Sequence, residues 1–181
     1  MPIESDTSIS KADKMAHLKK WWTKDMEAFV MAGYSRADFE KMTAESRLLF
    51  RKGTPELLQL CQNLDIEMLI VSGGISELIH ESLRILEDEE TKDDVIVDFS
   101  SIPILSNRFK FDDEGDRDGM GVVTGYRKPL ITSGNKQEII YDEVGMDLRR
   151  NAIVMGDIVE DGSMVRDSAH DVLLRVGFLN S

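Results

Sequence analysis

The stretch NAIVMGDIVED, from Asn151 to Asp161, is the part of the chain that decides the fold. Its apolar run ends at Gly156, and acidic residues follow at Asp157 and Asp161. Such a run is typical of a short buried strand in an α/β protein, and these folds place their chemistry at the carboxyl ends of strands. Two acids at that position suit a hard divalent cation such as Mg²⁺, which takes oxygen ligands. A strand followed by a polar turn is the alternative interpretation of the same residues, and it requires no metal.

Composition sets the class of protein. The chain has 181 residues, a mass of 20.5 kDa, a formal charge of −12 and a pI near 4.7, which fits one soluble domain with a real core. The acidity disfavours nucleic-acid polymers and anionic membranes as partners. A single cysteine, Cys61, excludes an intramolecular disulfide and fits a reducing compartment. The sequence shows neither a signal peptide nor an 18-residue apolar span, so we expect a cytoplasmic protein.

Helical and strand patterns alternate along the chain, as in a doubly wound α/β fold. The helical cap residues Ser10 and Ser35 precede two helices whose Trp, Met and Phe residues are interpreted as packing between helices. An alternating segment at about 106–131 predicts a β-hairpin inserted into this pattern. The predicted helices span 10–31, 35–45, 54–64, 76–86 and 135–144, and the strand candidates are 66–71, 95–97, 102–105, 152–155 and 171–176.

Two further segments are candidates for binding a phosphate. Ser72, Gly73 and Gly74 follow the strand candidate 66–71 and precede a helix, where backbone N–H groups and a Ser hydroxyl form an anion site. A tight strand–helix turn is the alternative. Lys136, near another helix start, is a solvated surface charge by default, but beside a phosphate it would neutralise the transferring charge.

Other polar clusters do not match known sites. The acids between Asp112 and Asp118 imitate a calcium loop, but aligning Gly119 with its invariant glycine places Gly125 where a bidentate Glu is required, so we expect a solvated hairpin tip. The three histidines share no metal-ligand spacing, and no Walker A, GxGxxG, GxSxG or CxxC motif is present.

Several segments together, in this order, resemble one family. The set resembles the cytosolic pyrimidine 5′-nucleotidases (the type III branch) of the haloacid dehalogenase-like superfamily, over nearly the whole chain. The segments are ISxxxKMxxLxxWWTK at Ile9–Lys24, AES at Ala44–Ser46, FRKG at Phe50–Gly53, IVSGGISE at Ile70–Glu77, NK at Asn135–Lys136, MGDIVED at Met155–Asp161 and VGFLN at Val176–Asn180.

The resemblance implies a fold and a reaction. The fold would be a haloacid dehalogenase-like Rossmannoid core at 51–181, a parallel sheet with helices, with a helical cap at 1–50. The reaction would be Mg²⁺-dependent hydrolysis of nucleoside 5′-monophosphates, of the UMP and CMP class, through an aspartyl-phosphate. In that pattern Ser72 and Gly73 hold the phosphate, Lys136 neutralises it, and Asp157 ligates Mg²⁺ with support from Asp161.

Of the two positions at which the family's cap contacts substrate, this sequence matches one and departs from the other. Glu4 matches the Glu that contacts the nucleobase, whereas Asp25 stands where the family has a substrate-contacting Ser. That departure affects the expected base or sugar preference. Gly73 replaces the more usual Ala, which is a mild change.

The family begins with an apolar strand ending in DxDxT, whose first Asp attacks phosphorus, and no segment here supplies it. Asp116-Arg117-Asp118 has the spacing without the preceding strand. We therefore expect a core that lacks its first central strand, a chain cut at both ends, and negligible hydrolysis by these residues alone. The alternatives are a non-catalytic relative that binds nucleotides or a protein, and another phosphatase of the superfamily acting on a sugar or serine phosphate.

Overall fold

The computed structural model describes residues 8–46, 48–90, 98–112, 121–144 and 150–179. In these segments five α-helices and six strands follow one another in the order α1, α2, α3, β1, α4, β2, β3, β4, α5, β5 and β6. The helices are α1 (Lys11–Ala32), α2 (Arg36–Glu45), α3 (Thr54–Asn63), α4 (Ser76–Glu90) and α5 (Lys136–Val144). The strands are β1 (Ile70–Ile75), β2 (Ile104–Asn107), β3 (Phe109–Asp112), β4 (Val122–Tyr126), β5 (Asn151–Gly156) and β6 (Val172–Gly177).

The first two helices begin and end where their capping residues predict. The Ser10 hydroxyl accepts a hydrogen bond from the Asp13 N–H, and Gly33 ends α1 in the left-handed region at φ 65°. Ser35 forms a capping box at the start of α2, with the Ser35 N–H donating to the Asp38 carboxylate at 2.8 Å. Local chemistry therefore sets the bounds of both helices.

The strands form three two-stranded ladders in the described part of the chain. β1 and β2 are parallel, β5 and β6 are parallel, and β3 and β4 form an antiparallel hairpin. The predicted hairpin is thus confirmed as β3 and β4, while its tip at 113–120 and the strand candidate 95–97 lie outside the described residues. No ladder among the described residues joins β1 to β5.

The strand predicted at 66–71 begins later than expected. Ile66 donates its N–H to the carbonyl of Cys61 at the end of α3, and Asp65 before it has a φ of 53°, so the chain is still turning there. The ladder with β2 pairs Ile70 with Ile104 and Val71 with Leu105, shifts register across 72–74, and resumes at Ile75, the last residue of β1. The prediction of a turn at Ser72–Gly74 was therefore wrong, because the chain stays in strand conformation through the glycines until Ile75 pairs with Asn107. β2 is displaced in the same direction, from 102–105 to 104–107.

Two apolar clusters form the core among the described residues. The Phe and Met residues of α1 and α2 pack on the hairpin, around the almost fully buried Met26 and Phe39. The second cluster lies between α4 and β2 and contains Leu83, Leu86, Phe99, Ile102 and Ile104. The predicted stripe is thus confirmed as core, although it packs on strands as well as helices, and Trp21 remains 54% exposed. The division at residue 50 into cap and core stays a prediction.

None of the helices described is both long and apolar enough to cross a membrane.

Candidate functional site

The carboxyl end of β5 carries an acidic segment beside a buried lysine. β5 ends at Gly156, Asp157 follows with its side chain exposed, and Asp161 lies in a short 3₁₀ helix at Val159–Ser163. Asp161 is only 5% exposed, and its Oδ1 lies 2.6 Å from the Nζ of Lys136, which is 8% exposed. The two residues form an ion pair that is shielded from solvent. Lys136 is therefore not the solvated surface charge that a lone lysine usually is.

Gly156 makes room for this ion pair. A Cβ added at Gly156 would lie 2.3 Å from the Cβ and from the Oδ2 of Asp161, far inside van der Waals contact. The backbone N–H of Asp161 donates to the carbonyl of Ile158 at 3.0 Å, which keeps the 3₁₀ turn folded back over the end of β5. The close approach of Asp161 to the strand thus depends on a residue without a side chain.

Lys136 is placed by a hydrogen-bonded loop at the start of α5. The Asn135 carboxamide accepts from the Thr132 N–H at 2.7 Å and donates to the Leu130 carbonyl at 2.9 Å. The Asn135 carbonyl then accepts from the Ile139 N–H in the first turn of the helix. These bonds close the loop into a fixed turn, so that α5 begins with the lysine directed at Asp161.

Ser72 and Gly73 lie in β1, next to the same loop. A Cβ at Gly73 would be 3.4 Å from the carbonyl oxygen of Ile131 and 3.9 Å from the Cα of Thr132. The Ser72 hydroxyl accepts a hydrogen bond of 3.0 Å from the Gly74 N–H. The predicted phosphate residues of β1 are therefore adjacent to the segment that leads to Lys136.

The helix after β1 carries an acidic residue in its first turn. α4 begins at Ser76, after β1 has continued to Ile75, and its first turn carries an acid, Glu77. Glu77 accepts from the Phe109 N–H at 3.2 Å, and burial raises the pKa of its carboxyl, an effect that hydrogen bonds from backbone N–H groups partly offset. Ser72 and Gly73 therefore lie in β1 and not in a turn before this helix, and their role in phosphate binding stays a prediction.

Helix α1 covers the loop and β1 from the other side. The Sδ of Met15 lies 3.8 Å from the Thr132 hydroxyl, and a Cβ at Gly134 would lie 1.8 Å from this sulfur. The ring of Trp22 approaches to 3.9 Å of a Cβ built at Gly73. Asp25, one turn beyond Trp22 on α1, is partly exposed. The other expected cap contact, Glu4, lies outside the described residues, as do the acids from Asp113 to Asp118.

The acids at the end of β5 have the donor chemistry for Mg²⁺. Mg²⁺ is commonly held by one or two carboxylates and keeps several waters or takes substrate phosphate oxygens. Asp157 and Asp161 supply such carboxylates, and within the described segments no group of three or more His, Cys, Asp or Glu side chains forms a complete protein cage. The donor set therefore fits an ion that shares its coordination sphere with water and phosphate.

Asn107 and Gly156 take part in this arrangement but were not singled out by sequence reasoning. Asn107, 2% exposed at the end of β2, donates to the carbonyls of Gly73 and Ile131. An asparagine in the apolar run of a strand carries no motif, and its partners lie far away in sequence. The glycine between the apolar run and Asp157 was a signal that could have identified Gly156 as a position of close approach.

Fold and comparisons together define the class of protein. The chain has a haloacid dehalogenase-like α/β fold, since it superposes on the crystal structure of cytosolic 5′-nucleotidase IIIB bound to cytidine with a TM-score of 0.70. That match has 25% sequence identity and covers 98% of this chain and 56% of the other. The family model for pyrimidine 5′-nucleotidase (UMPH-1) matches residues 1–181, so the chain belongs to that family.

Curated relatives support the same family at low identity. The 7-methylguanosine phosphate-specific 5′-nucleotidase of Gallus gallus is 26% identical over 99% of this chain and 58% of its own length. The enzyme of the same name from Drosophila melanogaster is 26% identical over 98% of this chain and 53% of its own. The putative cytosolic 5′-nucleotidase 3 of Caenorhabditis elegans is 26% identical over 99% and 46%. The chain thus spans about half the length of these relatives.

Proposed function

We propose that this chain forms the phosphate- and Mg²⁺-binding part of a cytoplasmic 5′-nucleotidase acting on nucleoside 5′-monophosphates of the UMP and CMP class. The observation that carries the proposal is the buried ion pair between Lys136 and Asp161, set beside Asp157 at the carboxyl end of β5. Family membership and the names of the relatives, which are nucleotidases, support the reaction class.

Each residue of the site has a chemical task in this proposal. Mg²⁺, when bound by Asp157 and Asp161, would supply positive charge to phosphate oxygens. Lys136 provides a second cation, and its ion pair with Asp161 fixes the ammonium where the phosphate enters. The Ser72 oxygen accepts the Gly74 N–H, so its own hydroxyl proton is left to donate to a phosphate oxygen. Gly73 lets the phosphate approach the strand closely.

Catalysis by the 181 residues alone is a separate matter. Covalent phosphoryl transfer of the family type needs the DxDxT nucleophile, which this sequence does not contain. We propose that these residues bind nucleotide but hydrolyse it negligibly. The same binding residues would also serve a non-catalytic relative that only binds nucleotides, so binding and turnover have to be measured separately.

The test compares binding and phosphate release with matched variants. The affinity of the chain for UMP, CMP and 7-methylguanosine monophosphate is measured by isothermal titration calorimetry with and without Mg²⁺, and phosphate release is followed with a colorimetric assay. We expect Mg²⁺-dependent binding that Asp157→Asn weakens at least tenfold. Asp171→Asn is the control, because Asp171 directly precedes β6 and so lies at the end of the β5–β6 ladder opposite to Asp157.

Three results would contradict parts of the proposal. Absence of Mg²⁺-dependent binding of all three nucleotides refutes the nucleotide site. Tightest binding of 7-methylguanosine monophosphate refutes the pyrimidine preference while keeping the nucleotidase family function. Phosphate release that Asp157→Asn abolishes refutes the expectation of negligible turnover.

A further inference from the structure

The carboxamide of Asn107 connects two segments of the candidate site. Its Nδ2 donates to the Gly73 carbonyl at 2.7 Å and to the Ile131 carbonyl at 2.9 Å. Its Oδ1 accepts from the Ile131 N–H at 2.7 Å. The side chain is 2% exposed, so no solvent competes for these bonds. Both amide protons and the oxygen are engaged, which is the full donor capacity of an asparagine.

The bonded groups belong to the two segments that carry the proposed phosphate ligands. Gly73 follows Ser72 in β1, and Ile131 opens the loop that ends at Lys136. In the described residues no strand ladder joins β1 to the loop or to β5, so backbone pairing does not set the distance between them. The Asn107 side chain, which projects from β2, bonds to both and therefore fixes their spacing.

We infer that Asn107 is a positioning residue for phosphate binding, an inference that rests on the nucleotide site proposed above. It holds the Ser72–Gly73 backbone and the Lys136 loop at the separation at which one phosphate contacts both. No other side chain meets the same requirement. Aspartate lacks the two donors, leucine lacks all polar atoms, and glutamine places the amide one methylene further from β2.

A purely structural role is the competing explanation, because any buried amide with three hydrogen bonds contributes to stability. The two roles differ in what they change. A structural role lowers the stability of the fold and leaves the affinity of the folded protein for phosphate unchanged. A positioning role lowers that affinity even when the protein is fully folded.

The experiment measures UMP affinity in the presence of Mg²⁺ for the 181-residue chain and three variants, at a temperature where circular dichroism shows each to be folded. Asn107→Ser removes the bonds to both segments. Asn107→Gln keeps the amide with altered reach. Leu86→Ala is the control, since Leu86 packs in the cluster that includes Ile104 of β2 and takes no part in the hydrogen bonds of the Asn107 side chain, which go to Gly73 and Ile131.

We expect Asn107→Ser to weaken UMP binding at least tenfold, equivalent to about 1.4 kcal/mol. Asn107→Gln should fall between wild type and Asn107→Ser, and Leu86→Ala should stay within twofold of wild type despite its lower stability. Binding by Asn107→Ser within twofold of wild type overturns the positioning role and leaves the nucleotide site intact. A wild-type chain that does not bind UMP overturns both.

A second measurement needs no variant and covers the case in which Asn107→Ser does not fold. In ¹H–¹⁵N spectra of the wild-type chain, addition of UMP with Mg²⁺ should shift the Asn107 side-chain NH₂ signals and the Ile131 amide signal. Signals that stay unshifted at saturating UMP overturn the inference.

Discussion

Replacing Lys136 by methionine removes the positive charge from a buried ion pair and leaves the Asp161 carboxylate buried without its cation. At 2.6 Å and an effective dielectric constant of about 20, the Coulomb attraction is about 6 kcal/mol. Part of this is recovered because the site relaxes and admits water, so the expected loss of unfolding free energy is about 3–5 kcal/mol. For a chain of this length that corresponds to a fall in Tm of about 6–20 °C.

The assay is a double-mutant cycle measured by urea denaturation in the absence of Mg²⁺ and nucleotide. The variants are Lys136→Met, Asp161→Asn and the double variant. Because the double variant buries no charge, we expect it to be more stable than either single variant. The matched control is the ion pair of Arg150 and Asp171, which has nearly the same length, 2.7 Å, but is 86% and 59% exposed. Its disruption should cost less than about 1 kcal/mol.

Two results would refute this reasoning. If Lys136→Met costs no more than the control variant Arg150→Met, then burial does not strengthen the pair. If the double variant loses the sum of the two single losses, then the residues are not energetically coupled, and the short distance between them carries no stability.

Three further predictions concern the cap of α2, a buried acid and the glycine under the ion pair. Ser35→Ala should lower the unfolding free energy by about 1 kcal/mol, seen as a lower urea midpoint, because α2 loses its capping hydroxyl; an unchanged midpoint would show that the cap contributes nothing. Glu77→Gln should stabilise the protein at pH 7, because burial raises the pKa of Glu77 and makes its ionised form unfavourable in the folded state. Since the folded state then binds the proton more readily than the unfolded one, this advantage should shrink as the pH falls towards the ordinary value of 4.5, and a pH-independent difference would contradict the assignment. Gly156→Ala should cost about 1–3 kcal/mol by forcing Asp161 away from β5, whereas Gly177→Ala, at the paired position of β6 with open space around it, should be well tolerated; equal urea midpoints for the two variants would argue against crowding at the site.

Features that depend on neighbouring residues could be predicted from the sequence. Ser10, Gly33 and Ser35 cap their helices by bonds within four residues, so the bounds of α1 and α2 follow from local chemistry. Strand bounds were less accurate because a strand lasts as long as its partner pairs with it, and the partner of Ile70 is Ile104. The turn expected at Ser72–Gly74 was wrong because β1 continues to Ile75, whose partner Asn107 lies far away in sequence.

The candidate site was predicted in its residue types and not in its contacts. The MGD segment located Asp157 and Asp161 at a strand end, as the structure shows. The burial of Lys136 depends on an acid 25 residues later, and the bonds of Asn107 reach residues 34 and 24 positions away. Residue types and spacing within a short window contain no information about such partners.

The contact between α1 and the Lys136 loop joins Met15 to Thr132, 117 residues apart in the chain. A ribosome adds about 5–20 residues per second, so Met15 is synthesised roughly 6–23 s before Thr132, the loop residue that it contacts. During that interval Met15, on the apolar side of α1, lacks the docking surface that the loop supplies. The nascent chain therefore presents this helix to chaperones and to neighbouring nascent chains, and slower translation lengthens that exposure.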